Sequence, residues 1–153
     1  MTRTDILIQR ASENDFDGIL KIAKSLPEWF TNQGIREIEQ DFQKCEKLVA
    51  SEFGKIIGFL LYSNLGENPL INWIAVEKKF HRRGIGTLLL DSLERELVAQ
   101  GYSNIIVKTL GGDSYEPYVK TRLFYLNTGF REESQVLTNL DEWPIELTLF
   151  KEI

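Results

Sequence analysis

The stretch Val76-Glu77-Lys78-Lys79-Phe80-His81-Arg82-Arg83-Gly84-Ile85-Gly86-Thr87 passes from an apolar run to an amphipathic one through two glycines one residue apart. Glycine lets a backbone pass close to a bound group and take φ values that other residues avoid. The first turn of the helix that follows offers unpaired N–H groups and the positive end of its dipole. Such a junction cradles an anion, a phosphate above all, without a special side chain. Glycines at a strand-to-helix turn also serve plain close packing, and the basic run would then be a solvated turn. Beside a helix start, however, lysine and arginine suit phosphate oxygens, arginine by bidentate geometry.

To the left of this junction, residues 70–76 are apolar on both alternating sets. That predicts a strand buried on both faces, and hence the central strand of a sheet. To the right, a helix over residues 84–100 places Ile85, Leu88, Leu89, Leu93 and Leu97 on one stripe, turns Asp91, Glu94 and Arg95 away, and ends at Gly101. Further left, residues 6–10 read as a strand, Ser12 or Asn14 caps a helix to about residue 25, and a second helix covers about 35–45. Residues 48–53 and 56–62 form a hairpin about Gly54-Lys55. Further right come a strand at 105–109, a helix at about 118–128 stopped by Gly129, and strands at 130–137 and 145–150 flanking an Asp141-Glu142-Trp143-Pro144 turn. The order predicts an α/β fold: a mixed sheet of about six to seven strands and about four helices, with antiparallel pairing early and a βαβ crossover at the glycine junction.

With 153 residues and no repeat or linker, the chain is expected to form a single domain over residues 1–153. Its 42% hydrophobic and 27% charged residues are those of a globular protein rather than a disordered one. No apolar run approaches the roughly 20 residues of a membrane span. Met1 to Asp5 lack a secretory stretch, so a cytoplasmic protein without membrane attachment is expected. One cysteine and one histidine leave no disulfide framework and no Cys/His zinc site, so no metal is expected. A net charge of −5 argues against nucleic acid as a partner. Open sheet edges leave room for a homodimer.

With these residues in place, the chain resembles the GNAT superfamily of N-acetyltransferases. That family's acetyl-CoA loop has Gln or Arg, two variable residues, Gly, a variable residue, then Gly or Ala. Here His81-Arg82-Arg83-Gly84-Ile85-Gly86 matches at both glycines and differs at the first position. A second block, Arg122-Leu123-Phe124-Tyr125-Leu126-Asn127-Thr128-Gly129-Phe130, looks like the family's late helix ending in Tyr, three residues, Gly, Phe. Many members carry Asn and Ala seven and four residues before that Tyr, where this chain has Tyr118 and Thr121. The resemblance implies a GNAT-like fold with acetyl-CoA as co-substrate. It also implies acetyl transfer to a primary amine of a small molecule, peptide or protein by direct attack in a ternary complex. A non-catalytic acyl-CoA-binding or regulatory protein on the same fold is the alternative. By resemblance, the turn from Arg82 through Arg83, Gly84, Ile85 and Gly86 to Thr87 holds the pyrophosphate. The backbone of Ile74, Ala75 and Val76 then takes the pantetheine arm and polarises the thioester carbonyl.

Tyr118, Arg122 and Tyr125 share a helix flank beside a stripe of Val119, Leu123 and Leu126. A phenol there can face a cleft while its ring packs. With a pKa of ~10 it can protonate a departing thiolate of comparable basicity. Tyr125 is therefore the candidate general acid, with a packing tyrosine as the alternative. An attacking amine must lose a proton, yet residues 70–76 hold no carboxylate, where family members often carry one. Glu77 follows at once and is the candidate base, with Glu67, Asp113 and Glu116 as further carriers through water. Trp29 and Phe30 lie in a loop closed by Pro27 and Gly34, the element that covers the acceptor site in the resembling family. They are the candidate substrate-binding residues, with Glu142 and Trp143 approaching from the last turn. A hydrophobic cluster beneath the loop is the alternative. Cys45 reads as a small buried residue.

Overall fold

The computed structural model describes residues 5–64 and 66–153. Met1 to Thr4, part of the reading for a secretory stretch, lie outside the described residues. The elements run β1 (Ile6–Arg10), α1 (Phe16–Lys24), α2 (Asn32–Lys44), β2 (Glu46–Glu52), β3 (Lys55–Ser63), β4 (Leu70–Val76), α3 (Ile85–Ala99), β5 (Asn104–Leu110), α4 (Glu116–Asn127), β6 (Arg131–Leu137) and β7 (Ile145–Glu152). The described residues thus form a seven-stranded sheet in the order β1-β2-β3-β4-β5-β7-β6, with four α-helices. Neighbours are antiparallel except β4 and β5, which are parallel and joined through α3. The doubly apolar strand is central, as its sequence predicts.

Two local differences have plain causes. Helix α2 begins at Asn32, three residues ahead of the predicted 35, because the Thr31 hydroxyl accepts the Gly34 N–H at 3.1 Å and caps the helix. The β2–β3 hairpin turns at Phe53-Gly54 rather than Gly54-Lys55. Both residues have positive φ, 50° and 81°, and Glu52 faces Lys55, which is type I′ geometry. An aromatic residue reads as strand, but Phe53 sits at the turn and is 84% exposed.

The sheet carries a core on each face. Along β3, Phe59 and Leu61 enter the layer beneath α1 and α2, while Leu60 and Tyr62 enter the layer beneath α3 and α4. The α3 stripe buries Leu89, Leu93 and Leu97 completely, each contributing about 1.5–3 kcal/mol of transfer free energy. The Tyr62 hydroxyl donates to Glu96 at 2.8 Å, and Arg10 pairs with the same carboxylate, tying β1 to α3. Among the described residues, no helix is long and apolar enough to cross a membrane, and no group of three or more His, Cys, Asp or Glu could hold a metal ion.

Cys45 closes α2 and lies in the core beneath α1 and α2. Burial pushes its thiol up to about 11, with the nearby Asp41 carboxylate adding to the effect. The thiolate is the reactive form, so at pH ~8 an alkylating reagent should leave Cys45 unmodified in the folded protein and label it in denaturant. Intact-mass measurement checks this; labelling at equal rates in both states would show the thiol to be accessible.

Candidate active site

β4 and β5 pair only at Leu70 with Ile106 and Ile71 with Val107, and beyond that point no pairing joins them. On its other side β4 stays paired with β3 as far as Val76. A bulge helps to part the strands: Leu61 faces Trp73 and Tyr62 faces Ile71, so Asn72 is the extra residue. The Glu77 N–H donates to Ile57 O at 2.8 Å, which fixes the alternation along β4. In an antiparallel ladder the next residue turns its N–H and C=O the other way. Val76 and Ile74 therefore present their backbone polar groups to the gap where β5 has left. Ala75 faces Phe59 on β3 and buries its side chain. Of the three strand residues implied by resemblance, Ile74 and Val76 serve the gap, and Ala75 turns its backbone away from it.

Among the described residues, Asn72 Oδ1 and Thr109 Oγ1 are buried without a hydrogen-bond partner, one on each of the two parting strands. Thr109 is only 2% exposed. Leaving such a group unpaired costs about 1–3 kcal/mol. A ligand rich in amides and carbonyls fits the gap, where β4 offers backbone donors and acceptors.

The wedge leads to the glycine junction. Arg82 and Gly84 both adopt left-handed backbone, φ 67° and 77°, on either side of Arg83. Alternation of this kind turns successive N–H groups inward to form an anion-binding nest. Gly84 is the N-cap of α3, and the first helical bond runs from the Leu88 N–H to Gly84 O at 3.0 Å. The N–H groups of Ile85, Gly86 and Thr87 consequently have no acceptor within the helix. The Arg83 guanidinium lies 5.3 Å over the Phe80 ring, and Ile85 is a core residue. Gly86 has a packing role as well. A Cβ built on it would lie 3.0 Å from Phe124 Cζ, so its close approach is to α4, and it does not have positive φ.

Helix α4 presents a different face from the one its periodicity suggests. Leu123, expected in the stripe, is 51% exposed, whereas Tyr125 is 3% exposed and packs edge-on between Phe124 and Phe130, both at 5.3 Å. Phe124 joins the same cluster. Thr109 and Tyr125 belong to one layer: Thr109 faces Leu147 across the ladder, and Leu147 and Tyr125 are both in the core beneath α3 and α4. The Tyr125 hydroxyl makes no hydrogen bond to another described residue. Burial, reinforced by the neighbouring Tyr118, pushes this phenol well above the ordinary tyrosine range, and burial takes Tyr118 up to about 12. Arg122 ties α4 to the segment before it, donating to Gly112 O at 2.9 Å and to Asp113 at 2.7 Å.

Residues at the N-terminal half of α4 strap down the loop after α1. Trp29 Nε1 donates to Thr121 Oγ1 at 2.9 Å and to Pro117 O at 3.1 Å. Tyr118 donates to Trp29 O at 3.1 Å, and Tyr115 to Glu28 O at 2.5 Å. The Tyr118 ring also meets Trp143 of the β6–β7 turn edge-on at 5.3 Å. Trp29 is thus on an aromatic wall built from three parts of the chain. Phe30, expected beside it, is a core residue 7% exposed, packed on Phe59 and Trp73. Sequence reasoning missed the strap itself. Its signal was that Tyr118 and Thr121 occupy two of the positions where the chain departs from the resembling pattern. Glu77 lies 3.7 Å from both Lys55 and Lys79, with its second carboxylate oxygen buried and unpartnered. No hydrogen bond or ion pair joins it to Tyr125 among the described residues.

The sequence profile of the acetyltransferase (GNAT) domain matches residues 43–132, which hold the wedge, the nest and α4. The chain belongs to the GNAT acetyltransferase family. The fold agrees: a GNAT-family protein of Desulfovibrio desulfuricans superposes with a TM-score of 0.84 at 19% identity, covering 96% of this chain and 98% of its own. A GNAT acetyltransferase of Elizabethkingia anophelis with acetyl-CoA bound gives 0.76 at 19%, covering 97% and 99%. The ribosomal-protein-S18-alanine N-acetyltransferase of Escherichia coli gives 0.77 at 16%, covering 97% and 94%. No curated protein sequence matches the chain.

Proposed function

We propose that this GNAT protein is an acetyl-CoA-dependent N-acetyltransferase that passes an acetyl group to an amine by direct attack in a ternary complex. The observation that carries the reading is the β4–β5 wedge running into the nest, with polar backbone along it and the amides of Ile85, Gly86 and Thr87 at its end. Acetyl-CoA supplies the activated acyl group. The amides of the Arg82 to Thr87 turn take its pyrophosphate, with the basic run adding charge. Ile74 and Val76 pair with the pantetheine arm, and an N–H of this strand polarises the thioester carbonyl. Tyr125 donates to the sulfur as it leaves. Glu77 receives the amine's proton through water. Trp29, with Tyr118 and Trp143, forms the wall against which the acceptor lies. That a related fold holds acetyl-CoA supports the co-substrate.

Calorimetry tests the first half: acetyl-CoA should bind well below about 1 mM, the upper end of usual KM values, and no binding at that concentration would sink the reading. CoA release against a panel of amines tests the second half. Binding without release from any acceptor would favour an acyl-CoA-binding protein over an enzyme.

A further inference from the structure

His81 stands at the position where the GNAT loop pattern has Gln or Arg, and it does two things at once. Its Nε2–H donates to the Val76 carbonyl at 2.7 Å, and its ring meets Trp29 edge-on at 6.3 Å. The Val76 carbonyl is one of the backbone groups that face the gap between β4 and β5. Trp29 is the indole that α4 straps in place. A second contact follows the same route, with Lys78 Nζ 3.8 Å from Glu28. The imidazole therefore occupies space over the cofactor strand while bracing the acceptor loop.

We propose that His81 is a positioning residue that couples the cofactor wedge to the acceptor wall. A ligand arm that takes the Val76 carbonyl displaces the imidazole, and Trp29 loses the support of its ring. The inference rests on the proposed use of the wedge by acetyl-CoA. It goes beyond that reading by giving this side chain a task that neither the glycines nor the free amides can perform. It also accounts for the residue type: a ring is needed to meet the indole, and a ring N–H to hold the carbonyl.

The turn supplies its own reporters, because the Trp29 and Phe30 N–H groups both donate to Leu26 O, at 3.1 and 3.0 Å. Hydrogen exchange of these amides is measured with and without CoA, while calorimetry on the same samples confirms that CoA binds. In the wild type, CoA should speed exchange over residues 27–32 by about fivefold or more through local opening. In His81→Ala the free protein should already exchange at the faster rate and respond to CoA by less than about twofold. His81→Phe keeps a ring against Trp29 without the bond to Val76, so it should exchange slowly in both states. CoA binding with unchanged or slower exchange in the wild type overturns the coupling, as does a free His81→Ala protein indistinguishable from wild type. Failure of CoA to bind overturns the functional reading and this inference together, and calorimetry tells that outcome apart.

Discussion

Tyr125→Phe should lower kcat by about 100-fold while leaving acetyl-CoA affinity and folding nearly unchanged. The structural half of this expectation follows from packing. The ring is held edge-on by Phe124 and Phe130 and keeps those contacts in the variant. Its hydroxyl has no partner among the described residues, so removing it orphans nothing, and the stability change should be within about 0.5 kcal/mol. The chemical half follows from acidity. Burial raises the phenol, so it stays protonated as pH rises through the neutral and mildly alkaline range. A thiol of ordinary pKa, ~8.5, is the stronger acid. Complete proton transfer from tyrosine to thiolate is therefore uphill, and most of the benefit comes from a hydrogen bond to charge developing on sulfur. That places the effect toward the lower part of the 10²–10⁴ range usual for acid–base groups.

The same sign decides the pH profile. A group protonated throughout the working range contributes no limb within it, so any limb between about pH 6 and 9 belongs to another group, the attacking amine above all. Tyr125→Phe should lower the plateau and leave such a limb where it is. A variant that keeps wild-type kcat at every pH would remove Tyr125 from the mechanism, whereas one that loses an alkaline limb would show that the phenol titrates within the range.

What could be read in the sequence was whatever depends on near neighbours along the chain. Residues 70–76 are apolar on both sets, and only a central strand buries both faces. The Leu89, Leu93, Leu97 stripe has one face, so α3 could settle in only one way. Helix α4 is different: Val119, Leu123, Phe124, Tyr125 and Leu126 spread apolar bulk around the cylinder, and periodicity alone does not choose a face. The choice is made by Phe130 and by Gly86, which give Phe124 and Tyr125 somewhere to pack. The strap was invisible for a related reason. Trp29 and Thr121 are 92 residues apart, and neither carries a local signal for the other. The departures from the family pattern at His81, Tyr118 and Thr121 held the missing information, since all three touch Trp29.

Gly86 gives the sharpest separation between a phosphate loop and a packing site. Gly84 needs its left-handed backbone, and alanine there would cost about 1–2 kcal/mol and distort the nest. Gly86 has no such need, and its amide survives any non-proline substitution. Alanine puts a Cβ 3.0 Å from Phe124 Cζ and 3.1 Å from Cε1, which a shift of a few tenths of an ångström in the ring relieves. Valine adds two methyl groups to that contact, and Phe124 must move further. Phe124 meets Tyr125 edge-on at 5.3 Å, so the displacement passes to the hydroxyl that the reaction uses. Misplacing a catalytic group by about 1 Å can cost 10²-fold. Gly86→Val should accordingly lower kcat by about 10- to 100-fold and change the CoA dissociation constant by less than about threefold. Tyr125→Phe in the same background should then cost much less than it does alone, because the two changes damage one interaction. Calorimetry beside steady-state kinetics on the two single variants and the double variant measures all three quantities. If Gly86→Val instead loses CoA affinity by the factor that kcat loses, the glycine is kept for the ligand's approach, and the path through Phe124 is not the one that matters.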